Sequence, residues 1–184
     1  MNINPKILDK IQENNNILTI SDVLNLGFSK QTIQNYINAG LLLRVRHGVY
    51  ILPDSIHDDM YTLMLRSQNI IFSHISALFL NGLSDRTPFL HTVTLPSNKS
   101  LPKSIKNECE CFYIKPDLHK IGLIYLPTTF GNNVKCYDIE RTICDFLRTR
   151  ERCDEETVIS AIKNYANYKD KNLNRLANYA NIFK

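Results

Sequence analysis

The chain has 184 residues, 43% hydrophobic and 22% charged, the make-up of an ordinary globular protein with one medium domain or a small domain and a larger one. No apolar run approaches the roughly eighteen residues that cross a bilayer, and Met1-Asn2-Ile3-Asn4 lacks the basic and apolar parts of a secretory signal, so a cytoplasmic chain without a membrane partner is expected. A net charge of +4 is too small to establish a nucleic-acid partner, and the odd set Cys109, Cys111, Cys136, Cys144 and Cys153 in apolar segments points to buried thiols, not a disulfide framework.

Asn4-Pro5 predicts a helix start, with Asn as cap and Pro at the first helical position. Ile7, Leu8 and Ile11 follow at helical spacing, and Asn14-Asn15-Asn16 ends the segment. After a short strand over 17–20, Ser21 is expected to cap a second helix, Asp22 to Leu26, ended by Gly27. Ser29 caps a third helix from Lys30 to Ala39, closed by Gly40. Two short helices around a tight glycine turn are a helix-turn-helix signature.

On a helical wheel Ile33, Tyr36 and Ile37 fall on one side of the third helix and must face the core. The opposite side carries Gln31, Asn35 and Asn38, flanked by Lys30, Thr32 and Gln34, with no acid and no large apolar residue. Amides bond adenine edges in the major groove, and short polar groups such as Ser29 reach phosphates. Leu41 to Pro53 then reads as a β-hairpin turning at His47-Gly48. Period-2 spacing predicts Arg44 and Arg46 on one outward face with His47 at the tip, a wing able to grip phosphates or a minor groove. The stretch from Val23 to Pro53 contains no Asp or Glu.

Beyond Pro53, helical patterns cover 56–68 and 73–80, and strand-like runs cover 91–95, 110–114, 123–126 and 134–137. Further helices follow over 138–147 and 155–168. Strands bracketed by helices give an α+β domain, so the expected architecture is α+β: a winged helix-turn-helix over 1–53 and a mixed α+β domain over 54–184. Leu173 to Lys184 reads as an interrupted helix without a cap or stop signal, either frayed or continuing in a longer chain. A second acid-free stretch, Arg86 to Asn107, carries Arg86, Lys99, Lys103 and Lys106 around a loop, Pro96 to Pro102, expected to be exposed.

Catalytic signals are absent from this domain. Glu140 and Arg141 are adjacent and diverge by about 100° on a helix, so with Asp145 they predict a surface or interdomain salt bridge and not a metal site. Cys109 and Cys111 share a strand face without a second ligand pair. Each of His57, His74, His91 and His119 is isolated, and no phosphate-binding glycine motif is present. Ile75, Leu78, Phe79, Leu80 and Leu83 are expected in the core. No enzyme activity, cofactor or metal is expected.

The N-terminal pattern, Leu24-Asn25-Leu26-Gly27-Phe28-Ser29 leading through Asn38-Ala39-Gly40-Leu41 to Arg44-Val45-Arg46-His47-Gly48-Val49-Tyr50, resembles the AbiEi family of abortive-infection antitoxins. Ser73 to Leu78 with Asn81 to Arg86, and the segment Asp138 to Asp145, resemble later parts of that family. The resemblance implies an antitoxin of a two-gene toxin–antitoxin locus in phage defence, with a winged domain that binds inverted repeats in operator DNA and represses the operon. It further implies a nucleotidyltransferase-like cognate toxin as functional partner, neutralised without a stable complex. A repressor lacking a toxin partner would use the same residues, and an α+β enzyme fused to a DNA-binding module is the remaining alternative.

Overall fold

The computed structural model describes residues 2–56 and 58–183. The chain divides into two compact units, Met1–Arg66 with Thr128–Asn132, and Ser67–Pro127 with Asn133–Lys184. Each holds helices and its own sheet, so the class is α+β.

The first unit opens with α1 (Pro5–Glu13), started by the Asn4 side chain, which accepts from the Lys6 amide. A short strand β1 (Ile17–Thr19) leads into α2 (Ile20–Asn25). The sequence pattern puts the cap of α2 at Ser21, but Thr19 does that work. Its hydroxyl accepts from Asp22 N while Asp22 accepts from Thr19 N at 2.8 Å, a reciprocal capping box that starts the helix two residues early. Helix α3 (Lys30–Asn38) follows, then β2 (Leu43–Arg46), β3 (Val49–Ile51) and α4 (Asp59–Arg66).

The three strands form an antiparallel sheet in the order β1-β3-β2. Alternation along it separates two cores. Leu18 and Tyr50 pack with Ile7, Ile11, Val23, Ile33, Tyr36 and Leu42 from the helical side. Ile17, Val49 and Ile51 face the other way, onto Val45 and onto Tyr61 and Leu65 of α4. With α4 and the 128–132 turn included, the unit is larger than the 1–53 segment read from the sequence. Asp58 ties these pieces together: one carboxylate oxygen accepts from Tyr61 N (3.0 Å), the other from Thr128 Oγ1 (2.5 Å) and Asn132 Nδ2 (3.0 Å).

The second unit is built on a five-stranded mixed sheet of β4 (Ile71–Phe72), β5 (His91–Pro96), β6 (Cys109–Ile114), β7 (Leu123–Pro127) and β8 (Asn133–Tyr137), in the order β6-β5-β4-β8-β7. β4 is an addition to the strands expected from the sequence, since two residues carry no period. Helices α5 (His74–Leu80), α6 (Ile139–Arg148), α7 (Glu155–Asn167) and α8 (Leu173–Ile182) complete it, and α6 packs against the other three. α8 is a regular helix capped by Asn172, whose side chain accepts from Arg175 N, which corrects the expectation of an interrupted, uncapped segment. Leu78 and Leu83 are buried, whereas Ile75, Phe79 and Leu80 are half-buried, so that core is narrower than expected.

Eight consecutive residues of α6, Ile139 to Phe146, are buried. This overturns the surface or interdomain reading of Glu140, Arg141 and Asp145, because all three lie inside the second unit. Arg141 and Asp145 are both 0% exposed and pair at 3.0 Å. Arg141 Nη1 donates to the carbonyls of Leu118 (3.2 Å) and Ile121 (2.7 Å), and its guanidinium lies between the rings of Tyr137 and Phe183. Glu140 accepts from Asn172 N at 2.8 Å and from the Tyr165 hydroxyl at 3.3 Å.

Candidate nucleic-acid interface

Helix α3 begins where Ser29 Oγ accepts from Thr32 N at 3.3 Å and ends at Ala39, with Gly40 at φ +69° beyond it. Ile33 and Tyr36 are buried, and the Tyr36 hydroxyl accepts from Asn4 N at 3.1 Å. These anchors fix the roll of the helix and turn Lys30, Gln31, Gln34, Asn35 and Asn38 outward, all five exposed. Thr32 is half-buried beside Ser29. The four amides are not independent. Gln31 Nε2 donates to Asn35 Oδ1 at 3.1 Å, and Gln34 Nε2 donates to Asn38 Oδ1 at 2.9 Å.

The wing is the β2–β3 hairpin. Its turn closes through Gly48 at φ +79°, a left-handed conformation that selects glycine. The strand register departs from the period-2 expectation. Arg44 pairs with Tyr50 but Arg46 pairs with Val49, a bulge at Val45. Directly paired residues share a face and neighbours along β3 do not, so Arg44 and Arg46 leave opposite faces of the hairpin. Val45 packs into the core under α4, and that packing uses the extra residue. Arg44 is exposed, and its Nη2 lies 2.8 Å from His47 Nδ1; a guanidinium has no acceptor, so the imidazole nitrogen accepts. Arg46 is half-buried on the α4 side, with Nε enclosed and unpartnered among the described residues.

In the second unit, Arg86, Lys99 and Lys106 are exposed, and Lys103 is exposed too. The three lysines lie on the β5–β6 connection, where 97–100, 103 and 106–108 are exposed; Pro96 is the buried last residue of β5. Arg86 instead lines a cavity of about 420 Å³ with Asp85, Asp154 and Glu156, which none of the lysines borders.

Ser73 Oγ lies 3.0 Å from His74 Nδ1, but Ser73 is 0% and His74 1% exposed, so no substrate reaches them. The imidazole stacks on Phe112, and its Nε2 bonds Thr149 Oγ1 at 2.9 Å. Burial, reinforced by Arg148, Arg152 and Arg141, lowers its pKa to about 3, which makes it a neutral core histidine. His119 is buried as well and donates from Nε2 to the Thr94 carbonyl, while His57 lies outside the described residues. All five cysteines are free thiols; Cys109, Cys136 and Cys144 are buried, Cys111 and Cys153 half-buried. Among the described residues no group of His, Cys, Asp and Glu is placed to hold a metal, and no helix is long and apolar enough to cross a membrane.

A helix-turn-helix with a hairpin directly behind its second helix defines a winged-helix unit of the DNA-binding class. Residues 5–53 match the family model described as a transcriptional regulator, AbiEi antitoxin, so the resemblance read from the sequence holds over that segment. No curated protein matches the chain. The crystal structure of the RV2827C protein from Mycobacterium tuberculosis has a similar fold, with a TM-score of 0.57 over 97% of this chain and 76% of that one at 14% identity.

Proposed function

We propose that the protein is a DNA-binding antitoxin that represses its own toxin–antitoxin operon and counteracts a nucleotidyltransferase-like toxin in phage abortive infection. The observation that carries this reading is the outward, acid-free amide face of α3 followed directly by a wing with Arg44 and His47 at its tip. In this reading α3 enters the major groove of an inverted-repeat operator. Ser29, Lys30 and Thr32 serve phosphates at the helix start, Gln31, Gln34, Asn35 and Asn38 face the bases, and Arg44 and His47 hold the flanking backbone, with Arg46, turned toward α4, contributing less. The segment 1–53 carries these contacts, and the 54–184 segment carries the antitoxin role without catalysis. Lys99, Lys103 and Lys106 form a second basic surface that lengthens the DNA footprint or meets the toxin, and Arg86, beside Asp85, Asp154 and Glu156, lies apart from it.

The test pairs a reporter driven by the DNA upstream of the chain's own reading frame with co-expression of the neighbouring reading frame. Repression of the reporter together with rescue from a toxic neighbour is the expected result. Repression without any toxicity to relieve identifies a plain repressor, and no repression overturns the operator reading.

A further inference from the structure

Each glutamine on the outer face of α3 is tied to the asparagine one turn later, in two parallel rows: Gln31 to Asn35 at 3.1 Å and Gln34 to Asn38 at 2.9 Å. Such pairs contribute little to the helix itself, and they bias the rotamer and the amide plane of side chains otherwise mobile on a solvated surface. The chemistry left over is specific. A primary amide has two N–H groups. The one on the same edge as the carbonyl oxygen completes the donor–acceptor edge that matches adenine N7 and N6, and the other points away from it. Each glutamine spends one N–H on its asparagine, and the amide oxygen with the N–H beside it stays available to adenine when the bond runs through the second N–H.

Resting on the reading of α3 as the recognition helix, we propose that Gln31 and Gln34 each read an adenine in neighbouring base pairs, with Asn35 and Asn38 as positioning residues. The spacing fits this assignment. Residues three apart are separated by about 4.5 Å along a helix axis, close to the roughly 3.4 Å rise of one base pair. The glutamines are also nearer the N-terminal end of α3, the end from which a recognition helix addresses base edges. Because the pairing already biases the amides in the free protein, binding adenine costs less side-chain freedom than it would from unpaired glutamines.

Selection of binding sites from a random duplex library tests this with the full chain and three variants. The wild type is expected to select half-sites with two neighbouring A·T pairs, substitution of either pair lowering affinity about 5- to 150-fold. In Gln31→Glu and Gln34→Glu the carboxylate accepts from cytosine N4 and has no proton for N7, so preference moves from adenine to cytosine, at a different single position in each variant. Asn35→Ala is expected to blunt the adenine preference at the Gln31 position while leaving the Gln34 position selective. Selected sites without adenine there, or glutamate variants that keep the wild-type base preference, overturn the inference and leave the operator reading standing. Failure of the folded wild type to select any sequence overturns both.

Discussion

At the scale of single residues the two wing arginines are unequal. Arg44 is exposed at the hairpin tip beside His47, whereas the bulge turns Arg46 toward the face that α4 covers. Arg44→Ala is therefore expected to weaken operator binding and to shallow the log–log salt slope by about 0.9 for each phosphate left without its arginine. Arg46→Ala should change that slope less. Fluorescence anisotropy across a salt series measures both, and equal slope changes would contradict the assignment. His74 sets a pH dependence instead. Burial keeps it neutral in the folded chain down to about pH 3, while the unfolded chain takes up a proton below about 6.5. The unfolded state thus binds more protons as the pH falls, so stability is full above 6.5 and declines toward 3, at up to about 1.4 kcal/mol per pH unit for one group. His119, also lowered by burial, acts in the same sense; the Asp138 and Asp145 carboxyls, raised by burial, oppose it nearer the carboxylate range. Urea unfolding at pH 7 and 5.5 should show lower stability at 5.5. His74→Asn should flatten that difference, since asparagine tolerates the backbone φ of +48° and does not titrate.

Among the elements, those with local signals are legible in the sequence. Asn4, Ser29 and Asp138 cap helices because a short polar side chain reaches amides two or three residues on, and the helices they start lie within a residue or two of the expected bounds. Thr19 is legible in principle, since Thr19 and Asp22 have capping-box spacing, but Ser21 offers a competing hydroxyl. The bulge has no signal, because the register follows from how Val45 packs under α4, a contact distant in sequence. The α3 face is legible as a set of polar side chains, though its pairing into two amide rows depends on rotamers that spacing does not specify. α4 also depends on a long-range partner. Asp58→Ala removes its first-turn acceptor and strands the buried hydroxyl of Thr128 and the half-buried amide of Asn132, at a cost of about 1–3 kcal/mol. Chemical denaturation followed by a probe in the first unit measures it, and an unchanged midpoint would show that the 128–132 turn is held by other means.

For the whole molecule, the division into two units separates the winged-helix part from a part organised around α6. An i,i+4 Arg–Asp pair on a helix reads in sequence as a solvated surface pair. Only the fold, which buries α6 along most of its length, makes it internal. Asp145→Ala leaves the Arg141 guanidinium buried without its counter-charge, a loss of about 3–5 kcal/mol, enough to unfold much of a marginally stable domain. Thermal unfolding measures this, and a melting temperature close to that of the wild type would contradict the assigned role. The central claim, that the first unit reads its own operator through α3, is tested most directly by titrating the full chain against the DNA upstream of its reading frame with excess unrelated duplex as competitor. The account predicts saturable binding that survives the competitor in the wild type and is abolished in Gln31→Ala/Gln34→Ala, while that variant keeps its weak binding to unrelated DNA. Equal affinity of the wild type for both duplexes, or an unaltered preference in the double variant, would contradict it.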